Sequence, residues 1–304
     1  MPTSRAPARP TTPRTAGARP ASRRRGPGWV PREHGAWAML VVPVLVGGVL
    51  TSPTWRTALL LVTWLTAYLA FHATGLWLRA SRRPRYLPPV RAYATALVLL
   101  GGTLLATAPG LLRWAPVYGA LLATSLVCSL RRADRSWLND GVTVGAAVLM
   151  TVVSAGLGHD GTPPATALTG TWVPPGADDP AAWAVTAVLA GYFFGTVPYV
   201  KTLLRERGNR AVLSVSVAWH ALLVVAAVAV LAVQVTHERA AGSIAVAVAL
   251  VVVAAGLLAR AVLVPRRRPW PSPRAIGFGE IAATLAVTAV ALAVPALAAP
   301  SLVG

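Results

Sequence analysis

The chain has 304 residues, 55% of them hydrophobic and 12% charged, with a mean hydropathy of +0.60. Soluble domains carry about 25% charged residues, so the composition excludes a water-soluble globular protein and leaves a membrane protein. The formal net charge of +19 does not make the chain a nucleic-acid binder, because its Arg residues and single lysine, Lys201, are set between long apolar runs rather than gathered on a soluble surface.

Residues 1–30 are rich in Pro, Arg, Ser, Thr and Ala, with almost no large apolar side chain. They cannot bury enough surface to offset the entropy of ordering, and they are expected to form a disordered basic cytoplasmic arm. Residues 31–304 are expected to form a single transmembrane helical domain. A bilayer core about 30 Å thick takes roughly 17–25 apolar residues per helix. Nine stretches meet that condition, at about 36–52, 57–78, 91–109, 114–130, 139–157, 182–203, 212–236, 240–262 and 277–298. The first and fourth are short, and Pro43 is expected to kink the first, which packing in a bundle tolerates.

Lys and Arg accumulate on the cytoplasmic side of membrane proteins. With the N-terminus inside, every Lys and Arg except Arg56, Arg113 and Arg239 falls on a cytoplasmic segment. The expected class is therefore an all-α polytopic helical bundle of about nine spans, N-in and C-out, in the plasma membrane. The long external loop, about 158–181, holds Asp160, Asp178 and Asp179 and no cation. Gly141 with Gly145, and Gly191 with Gly195, give small-xxx-small spacings that allow helices to approach closely.

Polar side chains at membrane depth are costly and mark candidate sites unless they lie near an end. In chain order these are Glu33, His34 and Trp37 in the stretch PREHGAWAML at the entrance of the first helix, His72 in the second, and Asn139 and Asp140 opening the fifth. Tyr199, Lys201 and Arg205 follow at the exit of the sixth, then His220 in the seventh and Glu280 at the start of the ninth. On the N-in topology all of them lie on the cytoplasmic side. Some have plain structural alternatives. Asn139 or Asp140 would cap the fifth helix, Glu280 would pair with Arg274, and the cations would hold phospholipid headgroups.

Together, a cytoplasmic cavity lined by Arg and Lys, with histidines and carboxylates nearby, suits an anionic headgroup on an apolar tail. His72, His220, Asp140 and Glu280 are the candidates for chemistry. His34, Trp37, Arg82, Asn139, Tyr199, Lys201 and Arg205 are the candidates for ligand binding. A proton path through His72 and His220 fits the same residues. The lone Cys128 and the absence of any close-spaced histidine pair give no structural metal site, and no cofactor is identified.

Five segments, PREHGAWAML (31–40), SWLNDG (136–141), GTVPYVKTLLRERGN (195–209), the Ser214/Ser216/His220 run and IGFGEI (276–281), resemble the YwiC-like family of bacterial membrane proteins. The likeness runs over nearly everything after the arm and is most specific around VKTLLRERG. It implies an integral membrane protein without an assigned activity. More distantly, the chain is similar to the UbiA family of intramembrane prenyltransferases, whose Asp-rich motifs hold Mg²⁺ and a prenyl diphosphate. In the corresponding places, 70–89 and 199–210, the aspartates are absent. Three classes stay open: a degenerate UbiA-like transferase acting on an isoprenoid or another anionic lipid, a proton-coupled transporter, and a non-catalytic membrane assembly factor. Membrane lipids are the expected partners in each.

Overall fold

A computed structural model describes residues 28–31, 36–158 and 172–298. Among these residues the secondary structure is helical throughout. The elements are α1 (Ala36–Leu50), α2 (Trp55–Arg79), α3 (Leu87–Thr107), α4 (Ala115–Leu130), α5 (Trp137–Ala155), α6 (Pro180–Leu204), α7 (Arg210–Thr236), α8 (Ala241–Leu263) and α9 (Pro273–Ala293). Short 3₁₀ turns precede α3 and α4 and follow α8 and α9. Residues 1–27 of the arm, Glu33, His34, His159 and most of the external loop lie outside the described residues.

Local chemistry sets the helix starts. Ser136 accepts a hydrogen bond from the Asn139 amide (3.2 Å) and opens α5. Asp179 accepts from the amides of Ala181 and Ala182 at the start of α6, Asn209 does the same for α7, and Ser272 caps α9. Each supplies an oxygen to the amides that the first helical turn leaves unpaired. The helix after the 80–86 connection begins at Leu87, four residues before its apolar run, because Pro88 and Pro89 suit a first turn, where no amide is needed.

Eight helical segments are long and apolar enough to cross a bilayer, while α1 is shorter. At 1.5 Å per residue its 15 residues cover about 22 Å. The chain is a multi-pass membrane protein. α1, α5 and α6 form the centre; α2, α3 and α4 pack on one flank, and α7, α8 and α9 on the other. One apolar core joins Val44 to Leu60, Leu104, Trp114 and Met150, and a second joins Val46 to Val148, Leu189, Phe193, Leu257 and Val287, so α1 has a core on each side. Outer faces are apolar and open: α3 buries only Pro89 and Leu104 and leaves Val98 71% exposed. Such faces suit hydrocarbon, where helices satisfy their own backbone groups.

The connections alternate between two ends. At one end Arg79 pairs with Asp134 (2.7 Å), and the Arg207 guanidinium stacks on Trp270. At the other, Trp114 Nε1 donates to the Pro175 carbonyl (3.1 Å), Thr51 Oγ1 to that of Ala155 (3.0 Å) and Ser243 Oγ to that of Ala296 (2.7 Å). Among the described residues, all cations but Arg56, Arg113 and Arg239 belong to the first, basic end.

Candidate functional site

With Ser136 serving as the cap of α5, the side chains of Asn139 and Asp140 are left for other work. Asn139 accepts from Ser125 Oγ (2.7 Å) and donates to the Asp134 carbonyl (2.8 Å), tying α5 to α4 and to the α4–α5 connection. Asp140 forms an ion pair with Lys201 of α6. The Lys201 ammonium also sits 3.9 Å from the centre of the Trp137 ring and 3.5 Å from the Arg135 carbonyl oxygen. With only 12% of its side chain exposed, Lys201 is fixed by a carboxylate, an aromatic face and a carbonyl.

Above this pair, at the basic end, a cavity of about 530 Å³ is lined by Arg135, Trp137, Lys201, Arg205, Glu206 and Val212. Glu206 accepts from Asn209 Nδ2 (3.0 Å). The wall therefore presents three cations, of which Lys201 is already paired with Asp140, and one carboxylate, with Asn209, an indole and a valine beside them. Charge-assisted hydrogen bonds from such a set suit phosphate or carboxylate oxygens.

A second polar group lies deeper, where α6, α7, α8 and α9 meet. Arg260 of α8 pairs with Glu280 of α9 (2.7 Å), so the partner of Glu280 is Arg260 and not Arg274. Tyr192 of α6 bonds Thr284 Oγ1 (2.9 Å) and donates to Glu280 Oε2 (3.3 Å). The Arg260 guanidinium lies over the Tyr199 ring at 4.2 Å, and the same ring meets His220 edge-on, with centroids 6.4 Å apart. His220 is fully buried. Its Nδ1 donates to the Ser216 carbonyl at 2.7 Å, since a carbonyl only accepts. Nε2, packed over Gly195, has no hydrogen-bond partner among the described residues. Arg260 Nε and Nη2 are likewise enclosed and unpaired.

The other sequence-derived candidates lie elsewhere. Trp37 meets Tyr68 of α2 edge-on (6.2 Å), one turn before His72, and α2 packs on α1, α3 and α4. His72 and His220 therefore occupy opposite flanks. Arg82 is exposed in the α2–α3 connection, its guanidinium 6.0 Å from the centre of the Trp77 ring. Asp140 and Lys201 come together, as do Tyr199, His220 and Glu280, and α6 is the element common to both groups. Arg260 is the member that sequence reasoning missed. The sequence reads it as part of the following loop, and only the structure, where Ala254, Leu257 and Ala261 are buried on α8, shows that Arg260 borders that covered face.

The Mg²⁺ site implied by the UbiA likeness does not fit these side chains. Mg²⁺ takes a compact set of hard oxygen ligands, whereas Asp140 and Glu280 are committed to separate cations from different helices. No three His, Cys, Asp or Glu gather among the described residues.

Residues 30–155, which span α1 to α5, match the family described as "YwiC-like protein". The match includes Asn139 and Asp140 and stops before Lys201, His220 and Glu280. A protein from Bacillus subtilis (strain 168), described as "Uncharacterized protein YwiC", is 31% identical over 198 residues, covering 64% of this chain and 74% of the relative. No solved structure matches. Eight long apolar helices, the match over α1–α5 and the length shared with the Bacillus protein place the chain in the YwiC-like family of membrane proteins.

Proposed function

We propose that this is a plasma-membrane protein with its N-terminus and basic end in the cytoplasm, and that the cavity at that end binds an anionic small molecule, such as the phosphate headgroup of an isoprenoid or other lipid. The orientation follows from the bias of Lys and Arg toward the cytoplasm. The observation that carries the binding reading is the cavity of about 530 Å³ in which Arg135, Lys201 and Arg205 converge beside Trp137. The cations hold charge, with Lys201 already immobilised, so little side-chain entropy remains to be lost on binding. Indole and valine accept the start of an apolar tail. Binding uses these cations directly and calls on no metal.

Thermal unfolding of the full chain in detergent micelles tests this. Geranylgeranyl diphosphate is expected to raise the midpoint without added Mg²⁺, whereas geranylgeraniol is not. Replacing Arg135 and Arg205 together by Gln should abolish most of the shift. Equal stabilisation by the alcohol, or a full shift in the double variant, rejects the anion site. A shift that appears only with Mg²⁺ rejects the metal-free reading in favour of UbiA-like handling.

A further inference from the structure

We propose that the basic end carries a second site, distinct from the cavity, for an anionic phospholipid: Arg207, Arg268 and Arg274 receive its phosphate, and the outward face of α9 receives an acyl chain.

Arg207 comes from the connection between α6 and α7 and Arg268 from the connection between α8 and α9, yet both lie over one indole. Their guanidinium carbons are 5.6 and 4.3 Å from the centre of the Trp270 ring. Backbone carbonyls fix both side chains: Arg207 Nε donates to Leu203 (2.6 Å), and Arg268 Nη1 to Arg267 (3.0 Å). A carbonyl fixes a guanidinium without neutralising it, and two like charges around one neutral ring repel. Within the described residues, the acids in ion pairs serve Arg79, Lys201 and Arg260 instead. Arg266, Arg267 and Arg274 are exposed close by in sequence and add to the unmatched charge. A phosphodiester supplies the missing anion, and basic clusters beside spanning helices are the kind of surface that anionic headgroups occupy.

The second observation separates a lipid from a free phosphate. Arg274, Phe278, Ile281 and Leu285 are spaced by four, three and four residues and so share one face of α9. Phe278, Ile281 and Leu285 are 72%, 56% and 65% exposed. An apolar stripe thus runs into the bilayer from a cationic head, with the polarity order of a phospholipid. Trp270, an aromatic of the kind enriched at headgroup depth, packs with Tyr199, Leu203, Ala261 and Ile276 and anchors the cluster to the bundle.

Native mass spectrometry of the delipidated full chain, titrated with phosphatidylglycerol and with phosphatidylcholine of the same acyl chains, tests the site. Phosphatidylglycerol should bind at least ten-fold more tightly. Arg207→Gln with Arg268→Gln should lower that affinity at least five-fold, Phe278→Ser with Leu285→Ser should also lower it, and Arg207→Lys with Arg268→Lys should restore most of it. The drop caused by Arg207→Gln with Arg268→Gln should be the same when Arg135 and Arg205 are also replaced by Gln, which separates this site from the cavity. The proposal is overturned if the two lipids bind alike, or if the Arg207/Arg268 variant keeps its affinity. Displacement by glycerol 3-phosphate at matched concentration would also overturn it, by making the site one for free anions.

Discussion

Arg260 and Glu280 lie largely out of water, with 13% and 19% of their side chains exposed. Each pays for desolvation, so the intact pair adds little net stability, while a lone member would be a buried, unmatched charge. Arg260→Leu should therefore destabilise the protein by about 3 kcal/mol, the lower end of what breaking such pairs costs, since some exposure remains. Arg260→Leu combined with Glu280→Leu should recover most of the loss. Unfolding in mixed micelles at rising dodecyl sulfate measures both; a double variant as weak as the single one would show that the two residues act separately. Glu280, His220 and Tyr199 were legible as candidates because polar groups at membrane depth are costly. Arg260 was not, because it falls at the end of an apolar run where an arginine reads as part of the following loop; α8 in fact continues to Leu263.

Between helices, contact is set by where a side chain is missing. A Cβ at Gly47 would lie 2.1 Å from the carbonyl oxygen of Thr151, so α1 and α5 touch through bare backbone there. Ser154 Oγ donates to the Val44 carbonyl (2.7 Å) along the same seam. Of the two small-xxx-small pairs, Gly191 and Gly195 do receive neighbours, Leu223 and Trp219 of α7, whereas nothing lies within 4 Å of a Cβ at Gly145. Spacing names a helix face and says nothing of whether a neighbour covers it. Gly47→Ala should cost about 1–3 kcal/mol by overpacking and lower the thermal midpoint, while Gly145→Ala should leave it unchanged or slightly raised. Equal effects would mean that the α1–α5 seam yields freely. Helix positions were readable to within a few residues because the apolar runs end at Pro, Gly or capping side chains. The break between 109 and 114 was readable too, but not that it folds as the 3₁₀ turn Pro109–Trp114, since Leu111, Leu112 and Trp114 carry no turn signal of their own.

For the whole molecule, the strongest regularity is the sorting of charge between two ends, which the sequence displays before any helix is built. The structure adds that the segments carrying those cations touch one another, through Arg79 with Asp134, Lys201 with Arg135, and Arg207 with Trp270. A single electropositive end follows whatever the direction of insertion, and the proposed orientation, with that end in the cytoplasm, rests on the bias of Lys and Arg. In a background where the buried Cys128 is replaced by Ala, cysteines at Ser81 and Gly208, both exposed at the basic end, should react with a membrane-impermeant maleimide only after cells are opened. Cysteines at Ser52 and His237, exposed at the opposite end, should react in intact cells. The inverse pattern would place the cavity and its arginines outside, where no cytoplasmic ligand could reach them. Labelling of Ser81 and Gly208 on opposite sides would instead break the alternation of helices on which the single basic end depends.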